Sequence, residues 1–150
     1  MEIVNSAPPI TQKDIDSLNE ILGFIIPIQY SKFLLSNNGG QPVKNIYKKY
    51  SEQNDTLTEI SVNNFLGIDK NDIGCDIYRR YILSIANGFK SKEYLPIADD
   101  GIGNVICIGI NEKIYGKIYV FWHDQPGKKT ITLDLVCNTF EEFLNGLSDE

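Results

Sequence analysis

Four sets of residues in this chain carry side chains that could do chemistry. They are the adjacent carboxylates Asp99 and Asp100 with Gly101, Gly103 and Asn104 behind them, the single histidine His123 beside Asp124, the Asp- and Asn-containing stretch 69–80, and three cysteines. Paired carboxylates can hold a divalent cation or move a proton. On a strand, however, successive side chains point to opposite faces, so Asp99 and Asp100 converge on one ion only if the backbone bends between them. The G-x-G of Gly101 and Gly103 could cradle a phosphate, but it leads straight into the β-rich run 105–110 instead of opening a helix. No Gly-Lys-Ser/Thr phosphate loop occurs in the sequence. Asp100-Gly101 between two β-rich runs is a hairpin-turn signal, and sequence mechanics favour a turn over either site.

His123 and Asp124 invite an acid–base reading, and Asp99, Asp100 and His123 together could serve a small metal-dependent hydrolase if the fold brings them together. Neither G-x-S-x-G nor H-E-x-x-H is present. The run 117–123 reads more simply as a strand with Ile118, Val120 and Trp122 on one face and Tyr119, Phe121 and His123 on the other. Both faces are largely apolar. One should pack on helices, and the other should be covered by another element or by a partner. Asp69, Asn71 and Gly74 fall at positions one, three and six of a calcium-loop pattern, but Ile73 and Arg80 stand where oxygen ligands are required. A turn into a helix with Ile77, Tyr81 and Ile85 on one face is the better account. Cys75, Cys107 and Cys137 are odd in number and form no C-x-x-C pair, which points to reduced, mostly core thiols. No catalytic residue, metal ligand or cofactor site is assigned.

The elements that must position these groups follow from periodicity. Thr11 with Asp14 caps a first helix bearing Ile15, Leu18 and Leu22 on one face with Ile21 as a further candidate, and Gly23 stops it. Pro27 begins a second helix with Tyr30, Phe33 and Leu34, ended at 37–40 by Asn-Asn-Gly-Gly. Residues 41–58 show no clear period and read as a long exposed connection with some local structure, with Lys44, Lys48 and Lys49 as a solvated basic cluster. A strand is expected at 59–66, and four more at 94–98, 105–110, 117–123 and 130–137 as an antiparallel meander. Thr139 and Glu142 form a capping box for a closing helix with Phe140, Phe143, Leu144 and Leu147. The class is α+β: one domain spanning 1–150, a mostly antiparallel sheet in the later half, and N-terminal and C-terminal helices packed on it.

Composition narrows the function. The chain has 150 residues, 14 basic against 20 acidic, and a net charge of −6. That balance disfavours nucleic acid and anionic lipid and favours encounter with a basic protein. An N-terminus without a basic-then-apolar signal, and no apolar run of membrane-spanning length, make the cytoplasm the expected compartment.

Four blocks, in order, resemble the SUKH superfamily and its Smi/Knr branch. They are I-P-I-Q-Y-S-K-F-L-L-S-N-N-G-G at 26–40, L-P-I-A-D-D-G-I-G-N at 95–104, G-K-I-Y-V-F-W-H-D at 116–124 and F-E-E-F-L at 140–144. Ile26 stands where that family usually has Leu, a conservative core exchange. Trp122 abuts His123 where the family often places an acidic residue between them. The resemblance implies an α+β domain that binds proteins and has no agreed catalytic centre. Bacterial members of the superfamily are widely regarded as immunity proteins that neutralise toxins, often nucleases, and fungal members as regulators of cell-wall synthesis. The leading expectation is therefore a toxin-neutralising immunity protein. Asp99, Asp100, Asn104 and Asp124 would supply a polar contact rim, with Tyr119 or Trp122 as anchors. A general regulatory or scaffold domain without a toxin, and the small hydrolase, are the alternatives.

Overall fold

At Thr11 the chain leaves an extended conformation, and the Asp14 carboxylate accepts the Thr11 N–H at 2.8 Å, which satisfies a donor that a helix start leaves free. Those bonds, backbone first and then the Thr11 hydroxyl, hold the Asp14 carboxyl below its ordinary value. The helix that follows stops at Gly23, whose φ of 80° is left-handed. A computed structural model describes residues 1–125, 127 and 130–149. In chain order its elements are β1 (Ile3–Val4), α1 (Gln12–Leu22), α2 (Ile28–Ser36), β2 (Gln41–Pro42), β3 (Ile46–Ser51), β4 (Thr56–Ser61), β5 (Asn64–Phe65), α3 (Ile77–Ala86), β6 (Tyr94–Asp99), β7 (Val105–Gly109), β8 (Ile118–Phe121), β9 (Asp134–Cys137), α4 (Phe140–Asn145) and β10 (Leu147–Ser148). The fold is α+β, and its sheets are antiparallel.

The largest sheet has the order β5-β6-β7-β8-β9, so the meander expected in the later half is present. Ile97, Ile106, Ile108, Ile118 and Val120 join Ile15, Leu18, Tyr30, Phe33 and Leu34 of α1 and α2 and Phe140 and Phe143 of α4 in one apolar core. Aromatic rings tie the helices together: Tyr30 and Phe33 both meet the Phe140 ring edge-on, with centroids 5.2 and 5.4 Å apart. The buried Tyr30 hydroxyl donates to the Leu66 carbonyl, which joins α2 to the segment entering the sheet.

Residues 41–58 are not the exposed connection that their composition suggests. They contain β2, β3 and the start of β4, and β3 and β4 form a hairpin in a three-stranded sheet of order β10-β3-β4. Tertiary contacts decide this, because Tyr47 stacks on Phe143 at 5.2 Å and Ile60 is buried. The strand expected at 59–66 is divided between two sheets, with β4 ending at Ser61 and β5 pairing Phe65 with Ala98. The strand expected at 130–137 is regular only over Asp134–Cys137. Leu147 is buried as expected but sits in β10 opposite Tyr47, not in the closing helix.

Candidate functional site

The turn between β6 and β7 is built around Asp100. Its Oδ1 accepts the backbone N–H groups of Ile102 and Asn104, each at 3.0 Å, and its Oδ2 accepts the Asn104 side-chain N–H at 2.6 Å. With its nitrogen donating to that carboxylate, Asn104 has its Oδ1 left for His123. That oxygen accepts the His123 backbone N–H at 2.9 Å and lies 2.8 Å from the ring Nδ1. The arrangement places the ring proton on Nδ1 and leaves Nε2 as an acceptor. Gly103, at φ 115°, allows the approach, since a Cβ there would lie 3.1 Å from His123 Cγ. A buried amide thus clamps the turn to the end of β8.

The sequence-derived site residues divide accordingly. Asp100 and His123 meet at the two ends of the Asn104 amide, while Asp99 ends β6, accepts the Gly101 N–H at 3.0 Å and pairs with Arg80 at 3.5 Å. The Asp100 carboxylate already holds three N–H donors, so it organises the turn before it can serve a substrate. Tyr119 is 9% exposed and meets the Tyr94 ring edge-on at 5.1 Å. Trp122 donates its indole N–H to Asp134 at 3.0 Å, and Asp124 is exposed beyond it. Asp69 and Asp72 accept backbone N–H groups within their own turn, and Asp76 caps α3 by accepting the Arg79 N–H at 3.0 Å. Among the described residues no three His, Cys, Asp or Glu side chains are placed to hold a metal ion. The three cysteines are free thiols, and burial pushes Cys75 and Cys137 up to about 11 and Cys107 further, so all three are protonated at neutral pH.

Helix α3 contributes a feature that sequence reading missed. Ile77 and Tyr81 turn inward to the core, as the expected face requires. Arg79, Ile82, Leu83 and Ala86, at the i, i+3, i+4, i+7 spacing, line a groove of about 760 Å³ between α3 and the second face of the large sheet. Pro96, Val105 and Phe121 form its floor, and Phe89 packs edge-on against Phe121 at 5.1 Å. Ile82 and Leu83 remain 48% and 57% exposed. A helix with apolar stripes on two sides needs cover on both, and the described residues leave one stripe uncovered. The signal in the sequence was the pair Ile82-Leu83, which lies off the face assigned to the core. Gly103 also lines the groove, so the Asp100–Asn104–His123 clamp borders it.

The sequence model of the SMI1 / KNR4 family (SUKH-1) matches residues 9–146 of the 150, a span that takes in the helices, the clamp and the groove. No curated protein matches the sequence. With that span and an α+β fold built around the four expected blocks, the chain belongs to the SMI1 / KNR4 family (SUKH-1).

Proposed function

We propose that residues 1–150 form one protein-binding domain that acts without catalysis, as an immunity protein neutralising a cognate toxin by direct contact. Family membership supports the coarse part of this reading. The finer part rests on the groove beside α3, because an apolar stripe held open on a folded chain marks a place where another protein docks. Asp99, which pairs with Arg80, and Asp100 and Asn104, which flank Gly103, would supply a polar rim, while Tyr119, Trp122 and Asp124 lie outside the residues that line the groove. The net charge of −6 favours a basic partner such as a nuclease and raises the rate of encounter more than the strength of the final contact. Inhibition then needs only occlusion or distortion of the toxin's own active site.

The direct test is co-expression with the toxin encoded beside this gene. Survival is the expected outcome, with protection lost in Leu83→Asp at an unchanged melting temperature. Continued killing of cells that contain abundant, folded wild-type protein would overturn the proposal.

A further inference from the structure

We infer that the groove beside α3 accepts a segment of a partner protein that presents a large apolar side chain followed closely by a carboxylate. The inference rests on the protein-binding reading and specifies the chemistry of the bound element. Two guanidinium groups stand at the groove, and they are not equivalent. Arg80 is engaged on the fold, with Asp99 at 3.5 Å and the Gly74 carbonyl at 3.3 Å. Arg79 lies one residue earlier on the exposed side of α3, and among the described residues its guanidinium has neither a hydrogen bond nor an ion pair.

An exposed arginine at the edge of an apolar trough offers its planar fork to a carboxylate, and the two N–H···O bonds fix orientation as well as charge. The volume of about 760 Å³ exceeds what one side chain fills, so the occupant is a stretch of chain with an anchor, not an isolated residue. Ile82, Leu83 and Phe121 supply the apolar contact for that anchor. The demand for a carboxylate is local. The field of a chain with net charge −6 draws in a basic protein, and Arg79 then selects, within that protein, the segment that carries an acidic residue.

The test is selection from a random dodecapeptide display library on the wild-type protein, with Leu83→Asp as the counter-selecting surface. The expected consensus is Trp, Phe or Leu with Asp or Glu within about four positions. Selected peptides should bind Arg79→Gln about fivefold more weakly and Leu83→Asp at least about tenfold more weakly, with Lys13→Gln unchanged. Both groove variants are compared with the wild type by thermal melting, so a misfolded variant is recognised and replaced by Leu83→Gln. A consensus without acidic residues, or equal binding by Arg79→Gln, overturns the inference. So does self-association abolished by Leu83→Asp, which assigns the groove to a second copy, or saturable dodecanoate binding with no peptide enriched, which assigns it to a small amphiphile. Protection against a toxin that survives both groove substitutions removes this inference and the groove's part in the proposed function, and leaves toxin neutralisation by another surface standing. Peptide binding without protection does the reverse.

Discussion

Replacing Asn104 by Ala removes the clamp between the β6–β7 turn and β8 with little change in volume. Three side-chain hydrogen bonds are lost, one to the Asp100 carboxylate at 2.6 Å and two to His123 at 2.9 and 2.8 Å. A bond between neutral groups contributes about 1 kcal/mol and one to a charged group about 1.5–3 kcal/mol, which would total roughly 3.5–5 kcal/mol. Asp100 is half-buried and the His123 ring is exposed, so water replaces part of what is lost. The expected net cost is about 2–3 kcal/mol, or a fall of about 4–12 °C in melting temperature for a chain of this size. Asn104→Asp should cost more, because it sets a second carboxylate against Asp100 and removes the donor. Urea denaturation at neutral pH measures both effects, and long-range ¹⁵N correlation of the imidazole reports the tautomer. A loss below about 0.5 kcal/mol for Asn104→Ala would refute the reasoning. A wild-type ring carrying its proton on Nε2 would refute it as well. A double-mutant cycle between Asn104→Ala and His123→Ala should return a coupling of about 1 kcal/mol.

Gly109→Ala should be far more damaging than its small size suggests, costing more than about 3 kcal/mol, since the new Cβ would overlap the Ile114 carbonyl and lie 2.9 Å from Ile114 Cγ1. A soluble variant with near wild-type stability in urea would contradict that. Stability should decline above pH 9, because an unfolded Cys107 ionises near its ordinary value of 9.0 while burial keeps the folded thiol neutral well beyond it. The folded state then binds the extra proton, so the contribution is complete below pH 9 and is lost as pH rises. Between pH 8 and pH 10, urea titrations should show the wild type losing about 1.4 kcal/mol more than Cys107→Ala, most of it above pH 9, and equal losses would contradict the assignment. Asp76→Ala should cost about 1 kcal/mol by uncapping α3, and restoration by Asp76→Ser should distinguish capping from charge.

What the sequence disclosed depended on how locally each element is specified. α1, α2 and α4 carry their own boundaries, in Thr11 with Asp14, Gly23, Pro27, and Thr139 with Glu142, and all three were placed within a residue or two. The β3–β4 hairpin carries none. Lys48 and Lys49 put polar groups on both faces, and only distant Phe143 and β10 make Tyr47 a core residue. The Asp100-Gly101 turn was legible because its chemistry lies within five residues. The bond from Asn104 to His123, across 19 positions, was not. Asn104 and Asp100 were expected on a contact rim, and their geometry gives them an internal task first. The groove escaped notice because Ile82 and Leu83 fit a helical run and nothing local distinguishes a stripe facing the core from one facing outward.

The two stripes of α3 also separate what the chain must keep from what it can change. Ile77 and Tyr81, with the Asp76 cap, fasten the helix to the core, so substitutions there are paid for in stability. Positions 79, 82, 83 and 86 touch the groove and lie exposed, where exchanges typically alter stability by less than about 0.5 kcal/mol. Under the proposed function, a lineage whose partner diverges can therefore redraw this surface one residue at a time without passing through unfolded intermediates. The same helix face is the place to begin when a different specificity is to be engineered.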